Sequence, residues 1–308
     1  MQKDRFGVTR MLAATSVLLS ATALPGAIAL PVQAQDAANA CASGYAEAPQ
    51  LKAMVDAGTL PPVAERLPLE PLVVQPAEEV GVYGGQFIDS WGGGNVADFR
   101  QFGYDPLVRW SVDGSEVVPN IAKSWDISED ARSYTFHLRE GMKWSDGQPF
   151  TADDIVFWWE RVENNPKVMT GGPRNELKNS GAVPTVTKVD DYTVTFSYEQ
   201  PNGLFLQNLA GPYGQRVVQF PKHYMEQFDI DLNPDGVAEM MAAAGATDYA
   251  AWWKGNVGSY GDAAQFNDPK RPTLLAWVGQ DSILGKERVT FVRNPYYFKI
   301  DPACQQLP

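Results

Sequence analysis

The run Arg132 to Val162, RSYTFHLREGMKWSDGQPFTADDIVFWWERV, constrains the chain more than any other, because it writes a strand, a turn and a capped helix in succession. Tyr134, Phe136 and Leu138 alternate with Thr135, His137 and Arg139, the period-2 pattern of a strand with one apolar face. Ser145-Asp146-Gly147-Gln148 is a turn signal, since Asp and Gly accept the positive φ of a tight turn. Pro149 cannot donate to a ladder and closes the strand. Thr151 is placed to cap a helix whose third residue, Asp154, can reach back to the Thr151 amide, a capping box with Asp in place of Glu or Gln. Phe150 and Ile155 occupy the two positions of a hydrophobic staple. Asp153 and Asp154 add first-turn charge, worth ~0.3–1 kcal/mol each at an exposed site. Ile155, Trp158, Trp159 and Val162 then form one buried stripe by the i, i+3, i+4, i+7 rule.

Asp146, Asp153, Asp154 and Glu160 crowd this segment and invite comparison with an acidic active site. A glycosidase pair needs two carboxylates facing one cleft, one of them with a raised pKa. Turn and cap roles account for these aspartates without it, so a secreted acidic glycoside hydrolase stays the alternative reading. Other motifs are weaker than they look. Gly92-Gly93-Gly94-Asn95-Val96-Ala97 fits G-x-G-x-x-A, but a hairpin at Asp113-Gly114 follows where a dinucleotide fold needs a parallel strand. Asp231-x-Asn233-x-Asp235-Gly236 matches half a calcium loop, yet position twelve is Ala242 instead of a bidentate Glu; a turn and helix start explain it better. His137 and His223 are the only histidines, and G-x-S-x-G, H-E-x-x-H, C-x-x-C and phosphate-loop patterns are absent from the sequence. The expectation is a chain with no metal, no cofactor and no enzymatic machinery.

Residues 1–34 read as a secretory signal: Lys3, Arg5 and Arg10 precede the apolar run MLAATSVLLSATALPGAIAL, and Val32-Gln33-Ala34 offers a small-x-small cleavage site. Export to the periplasm with a mature start at Gln35 is expected. A lipid on Cys41 is disfavoured, because ANAC lacks an apolar residue three before the cysteine. Without Lys3, Arg5, Arg10 and Asp4, the 25 basic and 37 acidic residues become 22 and 36, and the formal charge moves from −12 to −14. Such a chain has no electrostatic reason to bind nucleic acid or anionic lipid. With 44% hydrophobic residues it is also not a disordered chain. Cys41 and Cys304, the two cysteines, are compatible with one disulfide in an oxidising compartment and equally with two free thiols.

Residues 35–80 predict an extended arm with one short helix in EAPQLKAMVDAG and no regular structure in TLPPVAERLPLEPLVVQP. GGQFIDSW predicts a strand, GGGN a loop and VADFRQFGY a short helix. DPLVRWSVDGSEVVPNIAKSW predicts strand, turn, strand and a helical turn near Pro119. TVTKVDDYTVTFSY is a hairpin turning at Asp190-Asp191, with Tyr192, Val194, Phe196 and Tyr198 in register. NGLFLQNL, PKHYMEQF and GVAEMMAAAGATDYAAWWKG are helical, and RVTFVRNPYYF is the last strand. Helices and strands interleave irregularly, which points to an α/β or α+β architecture with mixed sheets.

In this order, YDPLVRWSVDGSEVVPNIAKSWDISEDARSYTFHLREGMKWSDGQPFTADDIVFWWERV, VDDYTVTFSYEQP, FPKHYMEQF and RVTFVRNPYYFKID resemble the extracytoplasmic solute-binding proteins of peptide-type ABC transporters, the oligopeptide, dipeptide and nickel group known as family 5. The resemblance covers most of residues 81–302, and EAPQLKAMVDAGTLPPVAERLP resembles the arm of a long-chain subgroup. It implies an α/β fold of periplasmic-binding-protein type with mixed sheets. Residues 81–104 and 201–308 would form a first lobe, 105–200 an inserted subdomain, and the second lobe of the family would be missing. It further implies a monomer that binds a peptide or similar small solute and presents it to an ABC permease. On this basis Asp89, Ser90, Trp91, Gly93 and Asn95, after the first strand, and Gly211 and Tyr213, after LFLQNLA, would line the cleft. Trp91, beside three glycines, could offer a flat face to solute.

Overall fold

The structure is a computed structural model that describes residues 41, 43–90, 103–258, 264–283 and 285–308, with the side chains of 264–265 left aside. Residues 1–34, expected to be a signal segment, residues Trp91, Gly93 and Asn95, and most of the helix expected from Val96 lie outside the described residues.

The arm holds more regular structure than its prolines suggest. Helix α1 (Pro49–Asp56) forms as expected and buries Leu51. A second turn of helix, α2 (Val63–Arg66), starts after Pro62, and strand β1 (Leu72–Val73) follows. Two long-range contacts override the local composition. Arg66, fully buried, pairs with Glu47 at 2.5 Å. β1 pairs in parallel with a strand near the far end of the sequence, Lys299–Ile300. Cys41 and Cys304 are disulfide-bonded with Cα atoms 5.6 Å apart, so of the two states open to the cysteines the protein adopts the bridge.

Val82 to Ser90 forms no strand. The hairpin β2 (Val108–Trp110) and β3 (Val117–Pro119) turns where expected. Gly114 takes φ +71°, and Asp113 accepts from the Ser111 hydroxyl at 2.6 Å and the Ser115 amide at 3.1 Å. These bonds to its charged form hold the Asp113 carboxyl down at about 2.

After Pro119 the chain makes a strand, β4 (Ala122–Ile127), and not the expected helical turn. Buried Asn120 turns the corner by donating to the Pro106 carbonyl at 2.7 Å and to Asp105 at 3.2 Å, which leaves Ala122 free to pair with Leu138. β5 (Ser133–Leu138) is the centre of an antiparallel sheet completed by β6 (Thr185–Asp190) and β7 (Thr193–Ser197), in the order β4-β5-β7-β6. The alternation holds: Tyr134, Phe136, Leu138, Val194, Phe196 and Tyr198 are buried, while Thr135 and Thr195 meet on the polar face at 2.9 Å. Arg139 departs from it. Just past the strand, it is buried and donates to the carbonyls of Asn120 and Glu70, both at 2.7 Å; burial lowers its pKa to about 10.

Helix α3 (Ala152–Phe157) carries the capping box read from the sequence, with the Thr151 amide donating to Asp154 at 2.9 Å. Phe150 and Ile155 are both fully buried. The helix then widens into a π turn, Trp158–Glu163. Helix α4 (Phe205–Ala210) drives Phe205 into the sheet, where its ring meets those of Tyr134, Phe196 and Tyr198 at 5.0, 5.3 and 5.2 Å. Beyond it come α5 (Lys222–Met225), α6 (Pro234–Ala243), α7 (Tyr249–Asn256) and α8 (Ala264–Asn267). Strands β8 (Trp277–Gly279) and β9 (Phe291–Arg293) pair antiparallel as a separate two-stranded sheet, and β10 (Lys299–Ile300) closes against β1. One apolar core joins residues from Leu107 to Phe298, so the mixed α/β expectation holds.

Candidate functional site

α4 ends at Gly211, whose extended backbone (φ −81°, ψ 176°) launches a 3-10 helix, Pro212–Val218. The two segments pack so closely that a Cβ on Gly214 would fall 1.8 Å from the Leu209 carbonyl oxygen, so only glycine fits. Beside this corner lies a small recess, lined in part by Trp158, Glu163, Arg174, Asn208 and Tyr213.

Each wall has a sequence cause. The apolar stripe of α3 points Trp158 inward, where its indole N–H is buried without a hydrogen bond among the described residues. Glu163 lies four residues beyond Trp159 and falls on the same inward stripe; it is fully buried. It accepts the Arg174 amide at 2.9 Å through one oxygen and faces Arg216 Nε at 3.9 Å through the other. Arg174 lays its guanidinium over the Tyr213 ring, 5.5 Å from its centroid, a cation–π arrangement on a half-exposed tyrosine. Asn208 donates to the Glu176 carbonyl at 3.2 Å and ties α4 to the short helix Asn175–Leu177. The Tyr104 hydroxyl donates to the Ala210 carbonyl at 2.8 Å, which fixes the chain just after residues 91–102 to the rim beside Gly211.

Of the residues expected at a cleft, Tyr213 lines this recess, and Gly211 sits at the corner beside it, between α4 and the 3-10 helix. Asp89 and Ser90 are exposed, with the Ser90 amide donating to the Asp89 carboxylate at 2.8 Å; no contact joins them to the recess among the described residues. Trp91, Gly93 and Asn95 are outside those residues. Sequence reasoning missed Glu163, Arg174 and Asn208. A carboxylate on an otherwise apolar stripe was the signal for Glu163; nothing local marks Arg174, which reaches Tyr213 across thirty-nine positions.

The aspartates of the opening segment serve the fold. Asp146 pairs with His223 at 2.8 Å, and Asp153 with Lys188 at 2.8 Å. Asp154, expected in an exposed first turn, is buried and spends both oxygens on backbone amides, those of Thr151 and Lys222. Burial pushes its pKa up to about 6, the one trait it shares with a catalytic acid, but both oxygens are already engaged. The calcium-like stretch is used structurally as well: Asp231 pairs with Lys167 and Arg161, and Asn233 donates to the Gln227 carbonyl at 2.9 Å. Among the described residues no group of three His, Cys, Asp or Glu is placed to hold a metal, and no helix is long and apolar enough to cross a membrane.

The mixed α/β frame with its several sheets is of periplasmic-binding-protein type. Residues 116–233 match the bacterial extracellular solute-binding proteins, family 5 (middle part), and the chain belongs to that family. It is 32% identical over 277 residues to the periplasmic alpha-galactoside-binding protein of Rhizobium meliloti, covering 82% of this chain and 36% of that protein. It is 32% identical over 183 residues to the dipeptide-binding protein of Escherichia coli, covering 53% of this chain and 34% of that one. Among solved structures, the oligopeptide-binding protein OppA superposes with a TM-score of 0.75 at 35% identity, over 86% of this chain and 40% of its own. The chain thus spans little more than a third of the length of these relatives.

Proposed function

We propose that this chain is the solute-capturing component of an ABC importer, working in the periplasm after removal of residues 1–34, with the Tyr213 recess forming one wall of the solute site. The observation that carries the reading is the arrangement of Arg174, Tyr213 and Glu163 within a segment that belongs to family 5. Binding is reversible and non-covalent: the aromatic face and the arginine orient a polar solute, and backbone groups of the rim supply hydrogen bonds. Asp89, Ser90, Trp91, Gly93 and Asn95 belong to the same reading as cleft residues expected from the family resemblance. The division into a first lobe (81–104 and 201–308) and an inserted subdomain (105–200) belongs to the same reading, as do closure on the solute, delivery to a permease and a monomeric state.

The preferred solute is a short peptide, supported by the oligopeptide- and dipeptide-binding relatives. A second reading, an α-galactoside, is favoured by one observation: the match to the galactoside-binding relative extends over 82% of this chain, against 53% for the dipeptide-binding one. Thermal-shift titration of residues 35–308 with a di- and tripeptide mixture, and separately with raffinose, tests both. A saturable rise in Tm with one of them identifies the class. Consumption of either solute would remove the binding reading in favour of a hydrolase.

A further inference from the structure

Trp158 and Glu163 are the first and last residues of the π turn that follows α3. In an α-helix, residues five apart point about 140° away from each other; the wider π turn, bonded from i to i+5, brings them back toward one face. Both residues line the recess, and both are buried, Trp158 at 1% and Glu163 at 0% exposure.

Each brings one unsatisfied atom to that face. The Trp158 indole N–H has no acceptor among the described residues. Glu163 gives one carboxylate oxygen to the Arg174 amide at 2.9 Å. Its other oxygen, Oε2, accepts no hydrogen bond among the described residues, with Arg216 Nε standing 3.9 Å away. A buried donor and a buried acceptor left unpaired are costly, and such atoms in native proteins are met by a partner. The recess that they line has room for about one water-sized group.

Donor and acceptor counts select the partner. An ammonium only donates and leaves the indole N–H unpaired. A carboxylate or carbonyl oxygen only accepts and leaves Glu163 unpaired. A hydroxyl does both, and its single oxygen fits the space. Tyr213, half-exposed on the same recess, offers an apolar face to the carbon that bears the hydroxyl.

We infer that Trp158 and Glu163 form a subsite for one hydroxyl of the solute, which accepts from Trp158 Nε1 and donates to Glu163 Oε2. The hydroxyl is that of a sugar or of a Ser or Thr side chain in a peptide, and one water takes its place when no solute is bound. The inference rests on the recess being a wall of the solute site and adds what that wall selects.

Calorimetric titration of the purified chain with raffinose, Ala-Ser-Ala and Ala-Ala-Ala tests it. Trp158→Phe removes the donor, and Glu163→Gln turns the unpaired acceptor into an amide donor. The parent should bind raffinose or Ala-Ser-Ala at least about tenfold more tightly than Ala-Ala-Ala, and which of the two it prefers identifies the source of the hydroxyl. Each variant should lose about tenfold or more of that affinity while treating Ala-Ala-Ala as the parent does. In the unaltered chain, a nuclear Overhauser signal from water to the Trp158 indole N–H should give way to one from the solute, a readout that needs no variant to fold. Equal affinity for solutes with and without a hydroxyl, or variants that bind the hydroxyl-bearing solute like the parent, would overturn the inference and leave solute capture standing. A water signal that persists at saturating solute would overturn it too, as the mark of a structural water only. Binding of none of the three would remove the solute-capture reading itself, and this inference with it.

Discussion

Asp154 accepts the backbone amide of Lys222 at 2.8 Å, a bond across sixty-eight residues that lets one buried carboxylate serve the starts of both α3 and α5. Burial raises its pKa from 3.8 to about 6, so between these values the folded protein holds a proton that the unfolded chain has released. The stabilisation from this group is present at low pH and is lost as pH rises through about 6. Relative to Asp154→Asn, the wild type should therefore gain roughly 1–3 kcal/mol of unfolding free energy between pH 7 and pH 4.5. Urea denaturation at a series of pH values checks it, and parallel profiles for the two proteins would refute it.

Lys299 reaches Asp105 at 2.5 Å in the core, and the Tyr297 hydroxyl donates to the other carboxylate oxygen at 2.9 Å. Lys299→Ala strands a buried charge and should cost about 3–5 kcal/mol. The double change Asp105→Asn, Lys299→Met should recover most of that loss, because no isolated charge remains. Denaturant midpoints of the three proteins decide it; equal destabilisation of single and double variants would mean that packing, and not charge, sets the cost.

The Cys41–Cys304 bridge joins positions 263 residues apart and holds the arm on the β10 segment. Replacing both cysteines with serine should lower stability by ~2–5 kcal/mol. Exchange at residues 43–74 should rise before that of the central sheet, because the arm then depends on dispersed contacts such as Arg66–Glu47, Arg139 on the Glu70 carbonyl and the two residues of β1. Uniform exchange along the chain would show that the bridge supports the whole core instead.

Local signals carried the fold where a segment supplies its own partners. The Asp113-Gly114 hairpin, the Thr151 cap and the alternation through Phe136 and Phe196 were legible because turn chemistry and period-2 patterning act within a few residues. The misses share one cause, a distant partner. Val63–Arg66 is ordered by Glu47, the corner after Pro119 by Asn120 on Pro106, and Asp154 is drawn inward by Lys222. At the recess, Tyr213 was singled out through the resemblance as an expected cleft residue, whereas Arg174 joins it only through tertiary packing over the Tyr213 ring.

The central claim is reversible solute capture at the Tyr213 recess, and two-dimensional 1H–15N NMR titration of residues 35–308 with a peptide mixture and with raffinose tests it most directly. Saturable shifts are expected at the Trp158 indole N–H and at the amides of Arg174, Asn208 and Tyr213, with the solute recovered intact. Tyr213→Ala should weaken binding by about 1–2 kcal/mol through loss of the aromatic face and its arginine. Turnover of the solute, or saturable shifts confined to residues away from the recess and unchanged by Tyr213→Ala, would contradict the account.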